Sequence, residues 1–395
     1  MNLPGQLNLS PRLLLGPGPG DVHPRVLGAM TTPMLGYLDP QFVQIMDETQ
    51  GMLRSVFQTE NVLTFPVSAT GMAGMETCVV NLIEPGDRMV VCSNGFFGQR
   101  MADVAGRSGA QVSLLERPWG DIFDLTQVRE VLAKVRPKVL GIVHSETSTG
   151  AWQPVADLGN LCHEFDTLLI LDTVTSLGCV EVALDDWEVD AAYSCSQKGL
   201  SCPPGLAPVS FSARAVATVG KRQTKVQNWY LDITLLQRYW LGEERIYHHT
   251  APASMIYALR EGLRLVLEEG LQPRWQRHGL NHRALKAGLA ALGIGYTAAA
   301  GHQLPQLNAV RIPDGVNDLA VRKQLLNEFG IEIGGGLGEF KGKVWRIGLM
   351  GHNSRPNNVL VFLGALEQCL LMQGLKVTPG SSVAAANRVY AERKK

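Results

Sequence analysis

The chain carries no net charge: Lys plus Arg number 36 and Asp plus Glu number 36 in 395 residues. A nucleic-acid binder ordinarily shows a basic excess or a basic face, so nucleic acid is not an expected partner. No apolar run reaches the roughly 20 residues that a membrane span requires. No basic stretch followed by an apolar one opens the chain, so neither a membrane partner nor a signal peptide is expected. The seven Cys are scattered, and no two of them form a C-x-x-C pair. That usage points to free thiols in a reducing compartment and away from a disulfide framework, which makes the cytoplasm the expected location. Internal repeats and low-complexity tracts are also missing.

What is present suits a large folded chain. Apolar residues make up 45% and charged residues 18%, enough for a sizeable core. The length suits two domains, one of them large. The 42 Gly suggest many tight turns and close backbone approaches. Residues 1–20 read as an N-terminal arm ending in Gly16-Pro17-Gly18-Pro19-Gly20, a tract that excludes regular helix and strand. Short apolar runs at 88–92, 111–115, 138–144 and 167–172 then alternate with helical patterns at 125–135 and 155–165. Near-continuous apolar runs mark strands buried on both faces. The alternation predicts an α/β fold with a mostly parallel sheet sandwiched by helices over residues 21–270. Beyond it, helices at 258–269 and 273–292 lead into a strand at 308–312 and a helix at 319–329. Strands at 331–333 and 344–349 and a helix at 358–373 complete a smaller α+β unit, residues 271–395.

In open parallel sheets, ligands bind beyond the carboxyl ends of the strands, so the residues just after each strand carry the functional reading. Asp172 ends the run Leu168-Leu169-Ile170-Leu171-Asp172. It is either a cap or hydrogen-bond anchor, or a ligand group. Lys198 follows a strand and a small-residue turn. Alone it reads as a solvated lysine, but beside the end of the Asp172 strand it can form a Schiff base with an aldehyde and move a proton once freed. Ser68-Ala69-Thr70-Gly71-Met72 precedes a helix running to about Ile83. Its turn is either an ordinary N-cap by Thr70 or a phosphate site at a helix N-terminus. Phe97, in Asn94-Gly95-Phe96-Phe97-Gly98-Gln99, is either core or a ring that stacks on a ligand. Thr147 lies in the hydroxyl-rich turn 144–150. Arg346 sits inside an apolar strand, which is costly unless it is paired. Its partner is either an internal carboxylate or that of a substrate, which its planar fork suits. None of these motifs calls for a metal ion.

Taken in order, the Gly-Pro arm, the strand-end Asp172, the Ser194-Cys195-Ser196-Gln197-Lys198 turn, Tyr247-His248-His249-Thr250 and Gly342-Lys343-Val344-x-Arg346-Ile347-Gly348 resemble class V aminotransferases, in particular the alanine–glyoxylate and serine–glyoxylate members. The resemblance runs from about Leu13 to about Ala386. It implies a fold-type I homodimer with shared active sites and pyridoxal 5'-phosphate as cofactor. It also implies roles. Lys198 would hold the cofactor covalently and Asp172 its ring nitrogen. Phe97 would stack on the ring, where many relatives have Trp, and Thr147 would bond the phenolic oxygen. Thr70, Gly71, Met72 and Gln197 would lie on the phosphate side, with Met72 departing from a His found in relatives. Tyr247 and Thr250 would reach the phosphate from the partner subunit. Arg346, with backbone from Gly16 and Gly18, would bind the substrate carboxylate. The implied reaction moves an amino group from alanine or serine to glyoxylate by a ping-pong mechanism. The tail 380–386 is similar to that of serine–glyoxylate members. A ureidoglycine–glyoxylate aminotransferase uses the same machinery and stands as the alternative. A cysteine desulfurase, which needs a nucleophilic Cys on a mobile loop, and a non-catalytic pyridoxal-phosphate-binding protein stand further off.

Overall fold

Val139–Val143 and Leu168–Asp172 are buried at every position. Strands with no wet face belong in the middle of a sheet covered on both sides, and these two are parallel neighbours. A computed structural model describes residues 3–392. Residues 1–2 and 393–395, the outer ends of the arm and of the C-terminal unit, lie outside the described residues. The chain opens with β1 (Leu13–Leu14), α1 (Pro24–Met30), α2 (Pro40–Phe57), β2 (Leu63–Val67) and α3 (Gly71–Leu82). Next come β3 (Arg88–Ser93), α4 (Phe96–Arg107), β4 (Gln111–Glu116), α5 (Leu125–Val135) and β5 (Val139–Val143). A hairpin of β6 (Ser145–Glu146) and β7 (Ala151–Trp152) leads to α6 (Leu158–Glu164), β8 (Leu168–Asp172), β9 (Ala191–Tyr193) and β10 (Ala207–Phe211). Helices α7 (Ala213–Gly220), α8 (Ile233–Trp240), α9 (Ala253–Glu269) and α10 (Leu271–Ala291) follow. The chain closes with β11 (Leu307–Arg311), α11 (Asp318–Phe329), β12 (Ile331–Glu332), β13 (Gly334–Gly335), β14 (Val344–Gly348), α12 (Pro356–Met372) and α13 (Ser381–Glu392).

The main sheet has seven strands in the order β2-β10-β9-β8-β5-β3-β4. From β9 to β4 every pairing is parallel, and the helices that connect these strands flank the sheet. Strand β10 runs antiparallel to both β2 and β9, so the sheet is mixed, with one reversed strand. Register matters for function. Val143 lies opposite Asp172, and Asp172 opposite Tyr193, so three strand ends finish level at one edge.

Apolar side chains sort into two clusters. The larger holds the main sheet with Phe65, Tyr239 and Trp240. The smaller gathers Trp345 and Phe362 from the C-terminal elements, and Leu15 of the arm. Strand β1 explains that last member, because it pairs in parallel with β12 and ties the arm to the C-terminal unit. Helix α2 is long yet weakly marked in the sequence, since its buried stripe includes the polar Thr49 and Gln50 and blurs the helical period.

Candidate active site

Lys198 sits in the turn after β9 and is only 7% exposed. Its Nζ donates to Thr175 Oγ1 at 2.9 Å and to Thr147 Oγ1 at 3.1 Å. It stands 5.8 Å from the centre of the Phe97 ring. Burial is the main force on the amine, and it lowers the pKa from the usual lysine value, with the Arg346 charge adding to the fall. A buried amine without a carboxylate partner is easily deprotonated, which is the form that can attack or take up a proton. Gly18 covers it closely: a Cβ there, at φ +110°, would lie 2.9 Å from Lys198 Cγ.

Asp172 ends β8, fully enclosed. Its Oδ2 accepts from Tyr193 Oη at 2.7 Å and its Oδ1 from the Val174 N–H at 2.8 Å. Burial nevertheless outweighs these bonds and pushes its carboxyl up to about 6. A cation placed beside it would therefore be strongly stabilised.

At the N-terminus of α3, Thr70 makes no side-chain cap, and Ala73 alone turns its N–H back, to Thr70 O. Gly71 and Met72 thus turn N–H groups that have no acceptor among the described residues to the positive end of the helix. Gly71 packs closely, since a Cβ there would lie 3.0 Å from Cys195 Cβ. Buried Gln197 Oε1 likewise has no partner among the described residues.

Glu146 organises the opposite wall. It is fully buried and accepts the N–H groups of Phe97 and Gly98 at 3.1 and 3.3 Å, together with the Ser148 hydroxyl at 2.6 Å. These bonds dock the first turn of α4 and so fix the Phe97 ring. Gly95 must be glycine, because a Cβ would lie 2.4 Å from Glu146 Cγ.

Arg346, on β14, is 7% exposed. Its Nε donates to Gly335 O at 2.8 Å. No carboxylate among the described residues pairs with it. Burial lowers its pKa to about 10, against a raising contribution from Glu146, so it stays charged at neutral pH.

One cavity of about 320 Å3 joins these groups: Gly18, Thr70, Gly71, Met72, Phe97, Thr147, Asp172, Gln197, Lys198 and Arg346 all line it. Gly16 does not. It packs behind Gly348, where a Cβ would meet Gly16 O, so only Gly18 of that pair reaches the cavity. Tyr247 and Thr250 also lie outside their own chain's cavity. Tyr247 is 52% exposed, with its Oη 3.4 Å from Thr250 Oγ1. His248 stacks on Trp229 with centroids 4.4 Å apart. His249 Nε2 bonds Ser68 Oγ at 2.7 Å, tethering this segment to the phosphate-side turn. Tyr193, Thr175 and Glu146 are the functional residues that sequence reasoning missed. The signal for Tyr193 is its register with Asp172, which no local pattern contains.

The cavity fits pyridoxal phosphate. Asp172 suits a protonated ring nitrogen, and the uncapped α3 N-terminus suits a phosphate. Phe97 offers a ring face, and Lys198 offers an amine within the same space.

Comparison with known proteins agrees with this geometry. A family model described as aminotransferase class-V matches residues 28–344. The alanine–glyoxylate aminotransferase of Mus musculus is 41% identical, covering 92% of this chain and 89% of its own. The crystal structure of an alanine–glyoxylate aminotransferase from Nostoc sp. matches with a TM-score of 0.92 at 53% identity, covering 93% of this chain and 98% of that one. The structure of a ureidoglycine–glyoxylate aminotransferase from Bacillus subtilis matches with a TM-score of 0.96 at 41% identity, covering 98% of this chain and 100% of that one.

Proposed function

The chain belongs to the class-V aminotransferases, and from that premise we propose that it transfers the amino group of alanine or serine to glyoxylate, with Lys198 as the cofactor-holding and proton-moving residue. The observation that carries the reading is Arg346: a buried guanidinium without a carboxylate partner in the same small cavity as Lys198. Its fork suits the one group that amino donor and keto acceptor share, the carboxylate next to the reacting carbon.

Pyridoxal phosphate, when bound, would supply a carbonyl carbon for the donor amine and a ring that serves as an electron sink for Cα. Asp172 would keep the ring nitrogen protonated. Phe97, fixed by Glu146, would offer its face to the ring. Gly71 and Met72 N–H groups and Gln197 would hold the phosphate. Arg346 orients the substrate carboxylate. Lys198, hydrogen-bonded to Thr147 and Thr175, takes the Cα proton and returns it elsewhere in the same half-reaction. The second half-reaction reverses the sequence with the keto acid, so the kinetics are ping-pong.

Glyoxylate as acceptor is supported by the names of the relatives. The choice of donor is supported by the cavity wall. The cavity that holds Arg346 is small, and Pro17, Gly18 and Leu337 are among its lining residues, which suit a methyl or hydroxymethyl side chain. The ureidoglycine reading stands as the alternative because a Bacillus subtilis (S)-ureidoglycine–glyoxylate transaminase is 40% identical over 96% of this chain. The desulfurase reading lacks its nucleophile: Cys369 is buried within α12.

The exposed Tyr247, with Trp229 and Ile246 also exposed, supports a homodimer in which Tyr247 and Thr250 of the partner subunit complete the phosphate site. A donor panel with glyoxylate as acceptor tests the function. Turnover with alanine or serine is the expected result; turnover with ureidoglycine alone would replace the donor assignment.

A further inference from the structure

Beside the turn that carries Lys198 lies a second cavity of about 420 Å3. It shares no lining residue with the Lys198 cavity. Its walls come from the start of α1, the junction of α9 and α10, and the segment between β14 and α12. Most of its arginines are already engaged. Arg274 donates to Gly178 O and Gly199 O and pairs with Glu269. Arg277 pairs with the same Glu269, and Arg25 pairs with Glu261 and Glu268.

Arg355 differs. Among the described residues no carboxylate pairs with it. Asp21 is the carboxylate whose charge is felt together with that of Arg355, and it is engaged by the Leu14 N–H. Arg355 Nη2 instead donates to His352 Nδ1 at 2.6 Å. A neutral His352 therefore carries its proton on Nε2. His23 is in the same state, since its Nδ1 accepts the Arg25 N–H at 3.1 Å. The two rings meet edge-on with centroids 4.6 Å apart, and neither Nε2 has a protein partner among the described residues. Burial, reinforced by Arg355, keeps His352 neutral. One wall thus offers the solvent-facing Arg355 guanidinium, which no carboxylate among the described residues pairs, and two imidazole N–H donors beside it, which is the complement of an oxyanion.

We propose that this cavity binds a small oxyanion, a phosphate ester or a carboxylate, separately from the Lys198 site. Ser201 links this wall to the turn that carries Lys198: its Oγ accepts the backbone N–H of His352 at 2.7 Å, and its own backbone N–H donates to Lys198 O at 3.0 Å.

Calorimetric titration of the cofactor-loaded enzyme tests this, with inorganic phosphate in one series and acetate in another, at fixed ionic strength. The expected result is a saturable event of one anion per chain at this cavity, distinct from the acetate that Arg346 binds beside Lys198. That event should weaken about tenfold or more in Arg355→Gln and in His352→Gln, and persist in Arg346→Ala, which removes only the carboxylate site of the Lys198 cavity, because a hydrogen bond to a charged group is worth a factor of that order. The tighter of the two anions identifies the class of occupant. Three results would each overturn the proposal: no saturable binding of either anion, wild-type affinity in both Arg355→Gln and His352→Gln, or loss of binding in Arg346→Ala alone, which would put the anion beside Lys198.

Discussion

Tyr193 donates its phenolic proton to Asp172 at 2.7 Å from the position directly opposite on the neighbouring parallel strand. The bond favours the ionised carboxylate against burial, which already holds its pKa up at about 6. Tyr193→Phe removes a lowering influence, so the Asp172 pKa rises further. In the proposed role, ionised Asp172 is the form that would hold a protonated ring nitrogen, and that form is lost as pH falls through the pKa. The variant should bind the cofactor several-fold more weakly, and the acid limb of its activity profile should move toward neutral pH. A fluorescence titration of cofactor binding checks the first, and a pH–activity profile of the loaded enzyme checks the second. An unmoved acid limb would mean that Tyr193 is only packing.

Glu146 makes a second prediction, about the stacked ring. Glu146→Ala leaves the Phe97 and Gly98 N–H groups buried without acceptors, at a cost of about 1–3 kcal/mol in stability. It also frees the first turn of α4, so cofactor affinity should fall with stability. Glu146→Gln keeps an acceptor and should recover most of the stability. Urea unfolding and cofactor titration of the two variants give the comparison.

Arg346→Ala should raise KM for the amino donor and the keto acid together, by about 10- to 100-fold, the worth of a charged hydrogen-bonding pair. Arg346→Lys should recover only part of this, because an ammonium cannot make the two parallel bonds of a guanidinium. Steady-state kinetics with both substrates varied decides it, and an effect on neither substrate removes Arg346 from the carboxylate site.

The proposed homodimer, with Tyr247 of one subunit reaching the other's site, predicts complementation. Lys198→Ala and Tyr247→Ala homodimers should each be impaired, the first in turnover and the second in cofactor affinity. Mixed subunits form one site with an intact lysine from one chain and an intact tyrosine from the other. Co-refolding the two variants should therefore restore activity. Failure to restore it, with mixed dimers demonstrated by differential tagging, would place Tyr247 outside the partner's site.

Much of this was legible in the sequence for definite reasons. The strands ending at Val143 and Asp172 announce themselves because both of their faces are buried, leaving an unbroken apolar run. Lys198, Asp172 and Arg346 stand out because charged groups at such strand ends, or within a strand, need partners. Strand β10 shows where local reading stops. Its reversal is a property of pairing, and nothing in Ala207–Phe211 itself encodes direction. Tyr193 and Thr175 were missed for the same reason: they become functional only through the register of β8 with β9 and the fold of the turn after Asp172. Gly16 illustrates the converse. The Gly-Pro tract marks a close backbone approach correctly, but only the packing of Gly16 against Gly348 tells which glycine faces the cavity.

The central claim is that Lys198 holds the cofactor and moves the proton. Borohydride reduction of the loaded enzyme, followed by peptide mass mapping, tests it most directly. The account predicts a pyridoxyl group fixed on Lys198, and in Lys198→Ala no fixed group and no transamination. A pyridoxyl group on another lysine, or full turnover by Lys198→Ala, would contradict it.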